Sequence, residues 1–147
     1  MPSNQSLASS VLHRFLLIHR HLRQSARNVD QQGIRGHHLS ILRFLQKQGP
    51  ATVTEIQEHL YTSASTASTL LKQLEEAGYV DRTRSTEDNR VVIIKLTPTG
   101  NTLAETTPVA GIGLLRSRLP TLSEERLKLI DDALAEIMQL MEVTDSE

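Results

Sequence analysis

The sequence predicts a mainly α-helical fold carrying one small β-hairpin, and three observations lead there. Apolar residues recur at helical spacing over most of the chain. Two short helical patterns between 53 and 77 are separated only by a tight turn near Tyr61-Thr62. Behind them lie two strand-like segments, Tyr79 to Arg84 and Val91 to Leu96, joined by the polar loop Ser85 to Asn89. The order of parts from Thr52 to Leu96 is helix, turn, helix and hairpin. It suits a device that lays one helix in a DNA groove and one loop beside it.

At 147 residues the chain fits one domain, or one small domain with an oligomerisation element. Hydrophobic residues at 38% and charged residues at 22% are ordinary for a soluble globular protein. Aromatics at 3% and the lack of Trp leave Leu, Ile, Val and Ala to build the core. The lack of Cys excludes a disulfide framework, a thiolate zinc site and a cysteine redox switch. No apolar run is long enough to span a bilayer, and residues 1–10 have neither the basic start nor the apolar block of a secretory signal. A cytoplasmic protein is therefore expected. The net charge of −1 conceals an uneven distribution. Residues 1–50 carry seven Arg and Lys against Asp30, whereas residues 120–147 carry Arg126 and Lys128 against eight acidic residues. Such a split fits a nucleic-acid face at one end or two ends that meet, and the second is favoured.

Taken in order, Leu7, Val11, Phe15, Ile18, Leu22 and Val29 predict an amphipathic helix over about 6–29, ended by Gln31-Gln32-Gly33. The next helix, about 37–48, carries Leu39, Ile41, Leu42, Phe44 and Leu45 and stops at Gly49-Pro50. Thr52 and Glu55 form a capping box for a helix over 53–60, whose Val53, Ile56 and Leu60 turn inward. Ser63 or its neighbour caps the following helix. There Ala67, Leu70, Leu71, Leu74 and Ala77 make the inward stripe, and Gly78 is the expected residue past the end. Thr97-Pro98 restarts a helix. Pro108, Gly111 and Gly113 predict a kink or a break near 107–113. From Ser123, with Glu124 and Glu125 in the first turn, a last helix carries Leu127, Ile130, Leu134, Ile137 and Met141 as a narrow coiled-coil-like seam.

With these parts in place the chain resembles a winged helix-turn-helix regulator of the MarR (multiple antibiotic resistance regulator) family. The hairpin carries the most specific likeness: Asp81-Arg82, Ser85, Glu87-Asp88, Arg90, then Leu96-Thr97 and Gly100. Ser65-Thr66 through Leu70, Leu74-Glu75 and Gly78 is similar to the family's recognition helix. The resemblance implies a single MarR-type domain over about 6–142. In it, 36–97 is the winged helix-turn-helix and 1–35 with 98–147 form a helical dimerisation region. It further implies a cytoplasmic homodimer that binds double-stranded DNA at a pseudopalindrome, as a repressor released by a small aromatic or phenolic effector. In such a dimer Arg14, Arg20 and Arg23 are expected near Asp131, Asp132 and Glu136, each exposed pair contributing only about 0–1 kcal/mol.

The resemblance assigns DNA contact to Ser63, Ser65, Thr66, Ser68, Thr69, Lys72 and Gln73 on the helix, and to Arg82, Arg84, Asn89 and Arg90 on the hairpin, with Arg82 and Arg84 serving as brace or phosphate contact. Hydroxyls can reach phosphates or bases, Thr methyls can touch thymine, and Gln73 can pair with adenine if it reaches. Arg90 is the candidate for insertion into a narrow minor groove, with Asp88 bracing the wing against a nearby Arg. Many relatives carry Arg at the positions of Thr69 and Gln73, and Asn89 also replaces a commoner Arg. Modest affinity and an A/T-leaning site are expected. His13, Phe15, His37 and Arg43 are the candidate lining of an effector crevice.

Other classes fare less well. The six histidines (His13, His19, His21, His37, His38, His59) include no pair at i, i+4 spacing, so solvated or interface histidines are expected and no metal site. No Gly-rich phosphate loop, nucleophile elbow or paired-carboxylate constellation appears, so no enzyme, no catalytic residue and no cofactor are expected. A winged-helix protein–protein module without DNA binding is the alternative that an Arg-poor recognition helix keeps open.

Overall fold

The computed structural model describes residues 1–27 and 33–145. The expected seam residue Val29, the lone acid Asp30 and the helix stop at Gln31-Gln32 lie outside the described residues. The chain forms two compact units, Met1–Gly111 and Ile112–Glu147.

The first unit opens with α1 (Asn4–Arg27), which starts two residues earlier than its apolar pattern and buries no residue within the chain. Leu7, Val11, Leu12, Leu16, Leu17 and Ile18 all remain exposed along it. The following helix α2 (Gly36–Gln48) passes close to α1: a Cβ on Gly36 would lie 2.7 Å from the Ser25 carbonyl oxygen. It buries Ile41, Leu42 and Leu45, and Gly49 ends it at φ +82°.

Next comes a two-residue strand that the sequence pattern does not show, β1 (Ala51–Thr52). Two residues are too short for any alternation to register. Helix α3 (Val53–Leu60) follows at once, with the Thr52 hydroxyl accepting the Glu55 N–H at 3.2 Å. Tyr61, in the left-handed region at φ 55°, turns the chain into α4 (Ala64–Glu76). Ser63 caps α4 by accepting the Thr66 N–H at 3.2 Å. Ala67, Leu70, Leu71 and Leu74 are buried as the stripe predicts. Ala77 is not: it is the exposed C-terminal cap, because the helix stops one residue before it and Gly78 turns away at φ +82°.

The hairpin is β2 (Val80–Arg84) and β3 (Val92–Leu96), antiparallel from Val80↔Leu96 to Arg84↔Val92. The central strand is β3, flanked by β1 on its other edge. Helix α5 (Pro98–Thr106) then starts from Thr97, whose hydroxyl accepts the Gly100 N–H at 3.0 Å and donates to the Gly78 carbonyl at 2.7 Å. One threonine therefore fixes the start of α5 against the end of α4. The core beneath the helix-turn-helix is Ile41, Leu42, Ile56, Leu71, Leu74, Val80 and Ile94, all fully buried. Burial of each such side chain contributes roughly 1.5–3 kcal/mol.

The 107–113 segment is a break. Helix α5 ends at Thr106, and α6 (Gly111–Arg118) begins beyond Pro108. In the second unit a 3-10 turn (Leu119–Thr121) leads to α7 (Glu124–Leu140). Ser123 caps α7 at 3.4 Å to the Arg126 N–H, and Glu124 pairs with Lys128 at 2.8 Å. Within the chain α7 buries no residue: Leu127, Ile130 and Ile137 are half-buried, Leu134 and Met141 exposed.

Candidate nucleic-acid interface

The N-terminal half of α4 presents a row of exposed hydroxyls, and their local bonds determine what each can still offer. Ser63 donates to Thr66 Oγ1 at 2.9 Å and lies 3.2 Å from Ser65 Oγ, so a capping residue organises its two neighbours. Thr69 turns its hydroxyl back on its own helix, donating to the Ser65 carbonyl at 2.9 Å. That bond leaves the Thr69 methyl and one hydroxyl lone pair for a partner. Ser68 is exposed on the same turn. Lys72 lies 4.0 Å from Glu76 with both side chains largely in solvent, a contact too weak to hold the ammonium.

Further along α4, Gln73 is engaged from below. Its Oε1 lies 2.8 Å from Nε2 of His38. His38 departs from the expectation of a solvated or interface histidine: it is 3% exposed, a polar side chain in the core. Its Nδ1 accepts the Arg35 N–H at 3.0 Å, satisfying an amide at the start of α2. A cleft of about 430 Å³ opens beside this pair, between Ile34 and Arg35 on one side and Glu76 and Ala77 on the other. His59 is likewise part-buried, stacked on Phe44 with centroids 4.5 Å apart and 3.1 Å from Ser40 Oγ.

The wing divides its arginines between structure and solvent. Arg82 Nε donates to Glu75 Oε2 at 2.9 Å, tying β2 to α4. Arg84 Nη1 donates to the Asn89 carbonyl at 2.9 Å, closing the tip. Asp88 accepts the Arg90 backbone N–H at 3.0 Å, and its own carbonyl accepts the Val91 N–H at 3.0 Å. The brace that Asp88 provides therefore runs to the arginine's backbone, where a guanidinium partner had been expected. Arg90 is exposed, and among the described residues its guanidinium has no bond or ion pair. Asn89 is exposed beside it.

The candidate effector residues lie on α1 and α2. His13 is exposed and Phe15 half-buried on α1, and His37 is half-buried at the start of α2. Arg43 Nη2 donates to the Thr107 and Pro108 carbonyls, 3.0 Å each, just past the end of α5. Among the described residues its Nε is buried without a partner, and partial burial holds the guanidinium below the usual arginine pKa by desolvation. Among the described residues no group of three or more His, Asp or Glu could hold a metal ion.

Sequence reasoning offers Arg82 and Arg84 as brace or phosphate contact but does not name Glu75 and the Asn89 carbonyl as their partners, and it misses the burial of His38. The Arg82–Glu75 tie joins a helix to a strand, so no local period announces it. The only sequence signal for His38 is its place one turn before the buried Leu42, on the inner face of α2.

Helices α3 and α4 joined by a tight turn, the second with an exposed outer face, and a hairpin wing completed by β1 into a three-stranded sheet define the winged helix-turn-helix class. The chain belongs to the MarR family, whose profile matches residues 37–92. It is 33% identical over 103 residues to the organic hydroperoxide resistance transcriptional regulator of Bacillus subtilis (strain 168), covering 68% of this chain and 67% of that protein. It is 26% identical over 120 residues to the transcriptional repressor MdtR of the same organism, covering 82% of this chain and 77% of MdtR. Among solved structures, reduced AbfR bound to DNA superimposes with a TM-score of 0.62 at 25% identity, over 92% of this chain and 94% of that one.

Proposed function

We propose that the protein is a dimeric, sequence-specific DNA-binding transcriptional regulator that acts as a repressor and is released by a small-molecule effector. The observation that carries this reading is a recognition helix with an exposed hydroxyl-lined face, flanked by a wing whose tip arginine, among the described residues, has no side-chain bond. Helix α4 lies in the major groove, with Ser63, Ser65, Thr66, Ser68, Thr69 and Lys72 along phosphates and base edges and Gln73 at the far end. Arg90 enters the minor groove, while Arg82, Arg84 and Asn89 hold the wing at the backbone. MdtR, similar to this chain, is named a repressor, and AbfR has been captured on DNA.

Dimer formation is supported by the exposed leucine-rich faces of α1 and α7, each of which lacks a buried residue in the isolated chain. Residues 1–35 and 98–147 supply that interface, and 36–97 forms the DNA-binding part. A small aromatic or phenolic anion is the effector class, with His13, Phe15, His37 and Arg43 as its candidate contacts. The Thr107 and Pro108 carbonyls take only Nη2 of Arg43, so such an anion would meet the guanidinium through its Nε and Nη1 donors. The protein is not an enzyme and acts in the cytoplasm. Among the described residues no helix is long and apolar enough to cross a membrane.

A mobility-shift titration with DNA from upstream of the protein's own gene tests the reading. Binding that weakens steeply as salt rises is the expected result. Equal binding to unrelated DNA, or none at low salt, refutes it and favours a protein–protein module.

A further inference from the structure

His38 joins the interior of the fold to the recognition helix through a bond whose direction can be worked out. A neutral imidazole carries one donor and one acceptor nitrogen. Nδ1 accepts the Arg35 N–H at 3.0 Å, so the proton resides on Nε2. The atom 2.8 Å from Nε2 must therefore be an acceptor, which makes it the oxygen of the Gln73 amide and not its nitrogen. With His38 only 3% exposed, the ring that holds this oxygen is fixed by the core around it.

This matters for what α4 can read. A glutamine recognises adenine by donating to N7 and accepting from N6 together, with its amide lying in the plane of the base. A bond from a buried ring to Oε1 occupies one lone pair and holds the oxygen toward His38. The remaining lone pair can accept from N6 only if the amide leaves the orientation that this bond favours, so the bond works against the contact. We propose that His38 is a specificity-determining positioning residue: by holding the Gln73 oxygen it denies α4 an adenine contact that the sequence otherwise offers. This inference rests on the DNA-binding reading above and deepens it.

Two substitutions at His38 separate the bond to Arg35 from the bond to Gln73. In His38→Asn, Oδ1 takes the place of Nδ1 and keeps the Arg35 N–H satisfied, while nothing reaches Gln73. In His38→Gln, the amide nitrogen takes the place of Nε2 and keeps Gln73 engaged. The experiment selects bound duplexes from a random-sequence pool with the wild type, both variants and the double variant His38→Asn/Gln73→Ala, then sequences them. Circular dichroism checks that each is folded.

The expected result is that His38→Asn gains an adenine preference of roughly tenfold at one base position per half-site. That gain disappears in the double variant and does not appear in His38→Gln. Three outcomes overturn the proposal: no gain in His38→Asn, a gain that persists without Gln73, or the same gain in His38→Gln. In each of these the wild type still selects a defined site, so the DNA-binding reading stands. A wild type that selects no site at all overturns both.

Discussion

Replacing Arg90 with alanine separates folding from DNA binding, and the wing's own bonds indicate how cleanly. The turn is held by Asp88 on the Arg90 N–H at 3.0 Å, by the Asp88 carbonyl on the Val91 N–H at 3.0 Å, and by the Ser85 N–H on the Val91 carbonyl at 2.8 Å. Arg84 adds its bond to the Asn89 carbonyl at 2.9 Å. None of these uses the Arg90 side chain, so Arg90→Ala should shift unfolding free energy by no more than about 0.5 kcal/mol. On DNA each guanidinium releases about one counterion, so losing one per protomer lowers the slope of log K against log salt by about 1.8 for the dimer. A charge-assisted contact contributes roughly 1.5–3 kcal/mol, so with one lost per protomer the dimer's affinity at low salt should fall at least about a hundredfold. Fluorescence anisotropy with the selected duplex between roughly 50 and 200 mM salt gives both quantities. A slope equal to the wild type's, or a large loss of stability in urea, refutes the argument.

Other substitutions probe the parts around the site. Asp88→Ala removes the acceptor of the Arg90 N–H; it should cost less than about 1 kcal/mol in a urea melt yet weaken DNA binding, because the wing tip loses its preset shape. Gly100→Ala places a Cβ against the Tyr79 carbonyl and 2.9 Å from Leu96 Cδ1, so a loss of at least about 1–3 kcal/mol is expected, and an unaltered thermal midpoint would contradict that packing. Arg43→Met frees the Thr107 and Pro108 carbonyls. It should lower stability by about 1–2 kcal/mol in denaturant titration, and hydrogen exchange should rise around residue 107 if the tether is as described.

Much of this architecture was legible because the chain punctuates itself. Thr52, Ser63, Thr97 and Ser123 each cap a helix, and Gly49 and Gly78 end theirs at positive φ, as their positions predict. Helix periodicity correctly placed the core on Ile41, Leu42, Ile56, Leu71 and Leu74. It carried the stripe one residue too far at Ala77, since a period cannot show where the last turn opens. The strand at Ala51–Thr52 escaped because two residues carry no alternation and are defined only by their partners Ile94 and Ile93. The candidate site was legible as a set of residue types, while their engagements were not. That Arg82 is bound to Glu75 and Arg90 is not depends on distances across elements. The sequence likewise offers Gln73 to adenine if it reaches, and does not show that a buried His38 lies 2.8 Å from its Oε1.

Footprinting of the dimer on DNA upstream of its own gene tests the central claim most directly. Two protected half-sites should appear with centres one helical turn apart, about 10 bp, each with a hydroxyl-lined major-groove contact and an adjoining minor-groove contact that Arg90→Ala removes. A single protected segment without two-fold symmetry, or protection that Arg90→Ala leaves unchanged in the minor groove, contradicts the account.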